Sequence, residues 1–373
     1  MIETDKSLIP THRATTLSSE FRLAFFMRKV LIFLLLLAVC TLAGGYAHWA
    51  AKRSASHYLS DLRIILAANQ GTPSERGNLL GVQAELFAPD YQDVGRLRLK
   101  LEAYLQKARA LGLITPRTVV VLPEHIGTWL WLRGEKREFY QAAAHSEASH
   151  WLAASHPLAF AWAWLGAADE DRSADARLRL KARHMAHEYQ RLFGGLAREF
   201  GVVVVAGSIV LPAPHLDGGE LKTSSGPLYN TTVVFGTDGQ VLGQPLRQRQ
   251  AGAMRGVADA DAPAALPVFD TPAGRLGVLI GRDALEPAQG QALVIAGAQL
   301  LAIPAFLDGP DDWARERDAW RHASLPLPVP SVSVFMHGRF WDRRIHGQSF
   351  VGQNGQAAEA DRGPGARLVN LWL

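Results

Sequence analysis

The chain is 373 residues long, 48% hydrophobic and 20% charged, enough to bury one core of roughly 250 to 300 residues plus an appendage. Its net charge of +4 is mild, the basic residues form no long run, and no nucleic-acid-binding module is legible. The one cysteine, Cys40, excludes an intrachain disulfide framework and any cysteine-based zinc site, and leaves the redox compartment open.

Residues 1–29 read as a polar N-terminal tail with Thr and Ser clusters. From Val30 to Ala51 there is no Asp, Glu, Lys or Arg. A helix over that stretch would reach about 33 Å, against a hydrocarbon core of about 30 Å. Arg28 and Lys29 precede it, Lys52 and Arg53 follow it, and Trp49 sits where an interfacial aromatic belongs. The expectation is one transmembrane helix over 30–51, anchoring the chain in the cell membrane by a single pass. A cleaved signal peptide is an alternative, against which stand the long stretch before the first basic pair and the lack of a clean small-x-small site. A lipoprotein signal at Cys40 is a second, disfavoured by the bulky Val39. Arg13, Arg22, Arg28 and Lys29 outnumber Lys52, Arg53 and Arg63, which favours the large domain lying outside the cytoplasm.

Residues 52–77 read as a linker, with a short helix over Ser54–Ala68 and a Gly, Pro and Ser-rich boundary at Gln70–Gly77. Strand and helix signals then alternate, as in an α/β domain. Strands are expected at Asn78–Leu86, Thr118–Leu122, Val202–Ile209, Leu228–Phe235, Pro267–Asp270, Arg275–Ile280, Leu300–Ile303, Val332–Phe335 and Gln348–Val351. Helices are expected at Val94–Leu111, Arg172–Glu199, Pro287–Ala298 and Asp311–His322. Asp238-Gly239 is a hairpin-turn signal. A helical, Trp-rich insert occupies about 131–200, and residues 361–373 read as a tail.

Four segments stand out in order. VVVLPEH (Val119–His125) is a strand ending in Pro-Glu. FGVVVVAGSIVL (Phe200–Leu211) is a buried strand that carries no chemistry of its own. LYNTTVVFGTDGQVLGQPLRQRQ (Leu228–Gln250) is a hairpin running into basic residues. RLGVLIGRDALEP (Arg275–Pro287) is a buried strand, a sharp turn at Gly281 and a helix start, the arrangement that in many hydrolases holds an exposed nucleophile. In this order they resemble the nitrilase (carbon-nitrogen hydrolase) superfamily. LLAIPAF (Leu300–Phe306) and IHGQSFVGQNGQ (Ile345–Gln356) extend the resemblance, which spans about residues 78–360.

The resemblance implies a four-layer α-β-β-α sandwich that commonly dimerises, and no cofactor or metal. It places Glu124 on the family's general-base position, Arg247 (or Arg249, by a slip) on its lysine position, and Gly281 on its cysteine position. The family is understood to attack amides with a thiolate, with the lysine stabilising the tetrahedral oxyanion. Gly281 supplies no nucleophile, and in a hydrolase deletion of the nucleophile costs about 10⁶-fold in turnover. Arg247 keeps a positive charge on a wider, planar head. The chain therefore reads as a degenerate member: a scaffold or ligand-binding module, with an altered C–N hydrolase or N-acyltransferase as the alternative. Glu124 and Arg247 are expected as a satisfied buried ion pair, with the space opened by Gly281 suited to a small amide or carboxylate ligand. Glu124, Tyr229, Asn230, Arg247 and Arg282 are the candidate ligand-binding residues.

Three further features are weaker. His184 and His187 lie one helical turn apart, but no carboxylate motif completes a metal set, so a solvated helix face is expected. Trp151–Leu165, WLAASHPLAFAWAWL, is shorter than a membrane span and reads as a buried or lid-like insert helix, or as an aromatic surface that touches the bilayer. His337–Gly347 reads as a solvated basic, aromatic loop, with phosphate or headgroup contact as its functional alternative.

Overall fold

A computed structural model describes residues 14–52, 61–167, 171–249, 266–307 and 313–373, and divides the chain into units 1–55 and 56–373. The first unit is helix α1 (Ala14–Lys52), within which Ala24–Trp49 is long and apolar enough to cross a membrane. The helix begins well before Val30, so residues 14–29 are helical rather than a tail. No Pro or Gly interrupts the sequence from Ala14 to Ala43, which lets the apolar segment extend its helix backwards.

In the second unit the apolar repeats form two stacked sheets. The first runs in the order Ile64–Gln70, Ala366–Trp372, Asn78–Gln83, Thr118–Val121, Val203–Val205, Leu228–Phe235 and Val241–Arg247, with Ile209–Pro212 also paired to Leu228–Phe235. The second runs Val268–Thr271, Gly274–Val278, Leu300–Ala305, Ser331–Phe335, Phe350–Gln353 and Gln356–Glu359. Continuous Val and Leu runs suit strands buried on both faces. Leu80, Val82, Val120 and Val204 face one side, where they join Leu97 and Leu101 of α2 (Val94–Ala110) in one core.

Three helices follow from the region read as an insert: α3 (Arg137–Gln141), α4 (His145–Ser155) and α5 (Pro157–Leu165). The long α6 (Arg172–Phe200) contributes Phe193 and Leu196 to the same core as α2 and is thus part of the fold's outer layer. The alternate residues Leu79, Val119, Val121 and Val203 form a second core with Leu276, Val278, Val332 and Val334 of the other sheet. Gly81 lets the sheets approach. A Cβ there would lie 2.7 to 2.9 Å from methyls of Val369, Val332 and Val334. Helices α7 (Pro287–Ile295) and α8 (Trp313–Ser324) close the far side, where Trp320 meets Phe335 edge-on at 5.6 Å. The order helix, sheet, sheet, helix is the expected four-layer sandwich.

Three local readings differ. The expected helix over Ser54–Ala68 lies partly outside the described residues, and its end belongs to a strand, Ile64–Gln70, within the stretch read as a linker. The expected tail holds Ala366–Trp372, whose seven residues are all buried between Ile64–Gln70 and Asn78–Gln83. Among the described residues, both pair with segments about 300 residues away in sequence, a pairing that no local pattern announces. The third is His337–Gly347, which is a hairpin (His337–Phe340 and Arg343–Ile345) on Glu85–Phe87. It buries Phe340 and Trp341 against Trp129, Trp131 and Phe139.

Candidate functional site

The Pro-Glu segment leaves the strand Thr118–Val121 in a tightly fixed loop. Leu122 N–H donates to Val205 O, His125 N–H to the Ser208 hydroxyl at 2.8 Å, and Gly127 N–H to Ser208 O. Gly207, at φ 65°, passes so close that a Cβ would sit 2.0 Å from Pro123 O. The Ala206-Gly207-Ser208 segment therefore positions Glu124, a role the sequence reading did not give it. His125 itself has φ 62°, a region unusual for a non-glycine residue. Its ring Nδ1 lies 3.1 Å from the Thr128 hydroxyl and its face meets Phe306 edge-on at 5.1 Å. Burial pushes its imidazole down to about 3, so it is neutral at pH 7.

Glu124 is 3% exposed and its carboxylate lies directly on Gly281. A Cβ built on Gly281 would be 2.4 Å from Oε1 and 2.6 Å from Oε2, and Gly281 has φ 50°. Both the space and the backbone conformation are those of a glycine. The turn is held from two sides. Trp320 Nε1 of α8 donates to Gly281 O at 3.0 Å, and Gln248 Nε2 donates to Ile280 O at 3.1 Å. Asp283 receives the backbone N–H of Arg249 at 2.9 Å.

Asn230 links these pieces. Its Nδ2 donates to Glu124 Oε1 and to Gln248 Oε1, each at 2.8 Å, and Gln248 N–H donates to Asn230 O. The structure thus brings together Glu124, Asn230, Gln248 and Gly281. Arg247 is not among them. Its guanidinium stacks over the Tyr229 ring at 4.3 Å and donates to Pro214 O at 2.9 Å. The expected Glu124–Arg247 ion pair does not form, because residues along a strand alternate faces and it is Gln248 that points inward. Gln248, 1% exposed, is an uncharged side chain between two arginines, so nothing in the local sequence marks it as the one that enters the site. Tyr229 accompanies Arg247 on the outer face, and Arg282 is exposed. The space that Gly281 opens is filled by the protein's own carboxylate. His184 and His187 are both exposed on α6.

No protein-family model matches the chain, and no curated protein matches it. Solved structures do. An amidase from Nesterenkonia sp., described with the acetamide moiety of fluoroacetamide on its active-site cysteine, aligns with TM-score 0.51 and 16% identity over 81% of this chain and 93% of that one. Another structure of that amidase, described as from the nitrilase superfamily, aligns with TM-score 0.51 and 18% identity over 80% and 91%. A carbon-nitrogen hydrolase from Helicobacter pylori aligns with TM-score 0.52 and 17% identity over 79% and 88%. The chain has the nitrilase-superfamily fold, preceded by a helix long and apolar enough to cross a membrane.

Proposed function

We propose that this chain is a membrane-anchored, nitrilase-fold protein without thiol chemistry, whose central site is a structural network and whose large domain acts outside the cytoplasm as a scaffold. The observation that supports this most is the contact between Glu124 and Gly281. An acyl transfer needs a nucleophile about 3 to 3.5 Å from the reacting carbon, and at this turn the general-base carboxylate rests on bare backbone. Gln248, which hydrogen-bonds to Asn230 in this network, carries no charge to stabilise an oxyanion, and Arg247 is stacked on Tyr229 instead. The full chain is expected to show no turnover above background on amides, nitriles or acyl donors. Turnover by wild type that disappears in Glu124→Ala would overturn the reading in favour of an altered C–N hydrolase or acyltransferase.

One observation favours a second reading, binding of a small amide. Among the described residues, the buried Asn230 Oδ1 has no hydrogen-bond partner, an acceptor that an amide N–H would satisfy. Small primary amides are then expected to raise the melting temperature of wild type and not of Asn230→Leu. Equal shifts in both proteins, or none in wild type, would remove this reading.

A further inference from the structure

We propose that α5 is an interfacial membrane-docking element whose outward stripe, Leu158, Trp162 and Leu165, enters the headgroup region of the bilayer crossed by α1. This rests on the membrane-anchor reading above. Helix α5, PLAFAWAWL, has no charged side chain and no polar group beyond two indoles. Leu158 is 80% exposed, Trp162 76% and Leu165 64%, and their i, i+4, i+7 spacing puts them on one face. Only Phe160 and Ala163 turn partly inward. An ordinary surface helix does the reverse, burying its apolar stripe and exposing charge. Helix α4 adds Trp151, also exposed.

The face is held outward by polar anchors behind it. His156, at the junction of α4 and α5, lies 3.2 Å from the buried Glu135 carboxylate, which also pairs with Lys181 of α6. Arg172 of α6 stacks on Trp164 at 4.3 Å. The stripe is therefore fixed in place, not a loose end seeking a core.

A lipid surface fits better than other occupants. Residues 53–63 are all that separate α1 from the first strand of the domain, a tether of at most roughly 40 Å. The short covalent link means that any bilayer crossed by α1 is a surface available to the domain. Leu and Trp on one face, with an Arg beside the indole, is a composition suited to lying in the interface to a depth of about 5–10 Å. Trp is favoured there because its ring is apolar and its N–H is wet.

The test uses the full chain carrying Cys40→Ser and one new cysteine, at Trp162→Cys or Leu158→Cys, labelled with an environment-sensitive fluorophore. A control label goes at Gln240→Cys. That exposed site is in the turn Arg198 binds at the other end of α6. The proteins are reconstituted in vesicles of phosphatidylcholine and phosphatidylglycerol. Blue-shifted emission at 162 and 158, quenched more by lipids brominated near the headgroup than near the chain end, with the control unaffected, is the expected result. Labels that report water, while the protein floats with vesicles after an alkaline carbonate wash, overturn the docking and leave the anchor standing. Labels that are shielded but not quenched by lipid, with disulfide-linked dimers forming on oxidation of the unlabelled Trp162→Cys protein, assign the stripe to a second copy and also overturn it. Release by carbonate removes the anchor reading and the docking together.

Discussion

At the scale of single residues, the site turns on a steric exchange between Gly281 and Glu124. The carboxylate occupies the volume that a side chain at 281 would need, and the backbone there is left-handed. Gly281→Ala is therefore expected to cost about 1–3 kcal/mol, from backbone strain and overpacking together. In the Gly281→Ala, Glu124→Ala double mutant, the loss should fall short of the sum of the two single losses by on the order of 1 kcal/mol, because the clash goes with the carboxylate. Urea denaturation of the four proteins measures this, and strictly additive losses would contradict the contact. Glu124 and Gly281 could be marked in the sequence because each ends a recognisable strand. Gln248 could not, since one residue of register along Val241–Arg247 decides which side chain enters the site. That register is shifted by an irregularity between Leu242 and Leu246.

At the scale of elements, the helices and strands with strong periodicity lie close to where their patterns put them. Val94–Ala110 and Arg172–Phe200 have amphipathic spacing, and each has an aspartate N-cap, Asp93 and Asp171, receiving a backbone N–H. The end segments were not legible in this way. Residues 361–373 are few and include, near their start, a Gly363-Pro364-Gly365 run of turn residues, yet they hold a strand interior to the larger sheet. A chain ending at Ala360 would leave Ile64–Gln70 without its parallel partner and one edge of Asn78–Gln83 without its ladder. Buried backbone groups left unpaired in this way are costly. This truncation is expected to abolish cooperative thermal unfolding followed by circular dichroism. A sharp melt near that of wild type would show the strand to be dispensable.

At the scale of the whole molecule, the buried His125 and the half-buried His145 are expected to make the fold acid-sensitive. Burial holds His125 at about 3, and His145 is held at about 3 by burial first and then by Arg177 and Arg343. Both lie below the ordinary value of 6.5, so the unfolded chain takes up these protons before the folded one does. Their contribution to stability is complete above about pH 6.5 and is lost as pH falls towards about 3, by about 1.4 kcal/mol per pH unit for each histidine. His125→Asn keeps a residue that tolerates positive φ. It should lose about 2 kcal/mol less than wild type between pH 7 and pH 5. Urea titrations at the two pH values test this, and parallel losses would place the proton elsewhere. By itself the sequence determined the layered α/β fold, the membrane-length apolar helix and the absence of any thiol beyond Cys40, because periodicity, apolar length and residue identity are local properties. Only the tertiary structure decided that Glu124 closes the space at Gly281, that Gln248 and not Arg247 lines the site, and that Ile64–Gln70 and Ala366–Trp372 pair in one sheet. Those outcomes depend on which surfaces come within contact distance, and contact distance is set by packing across segments far apart in the chain.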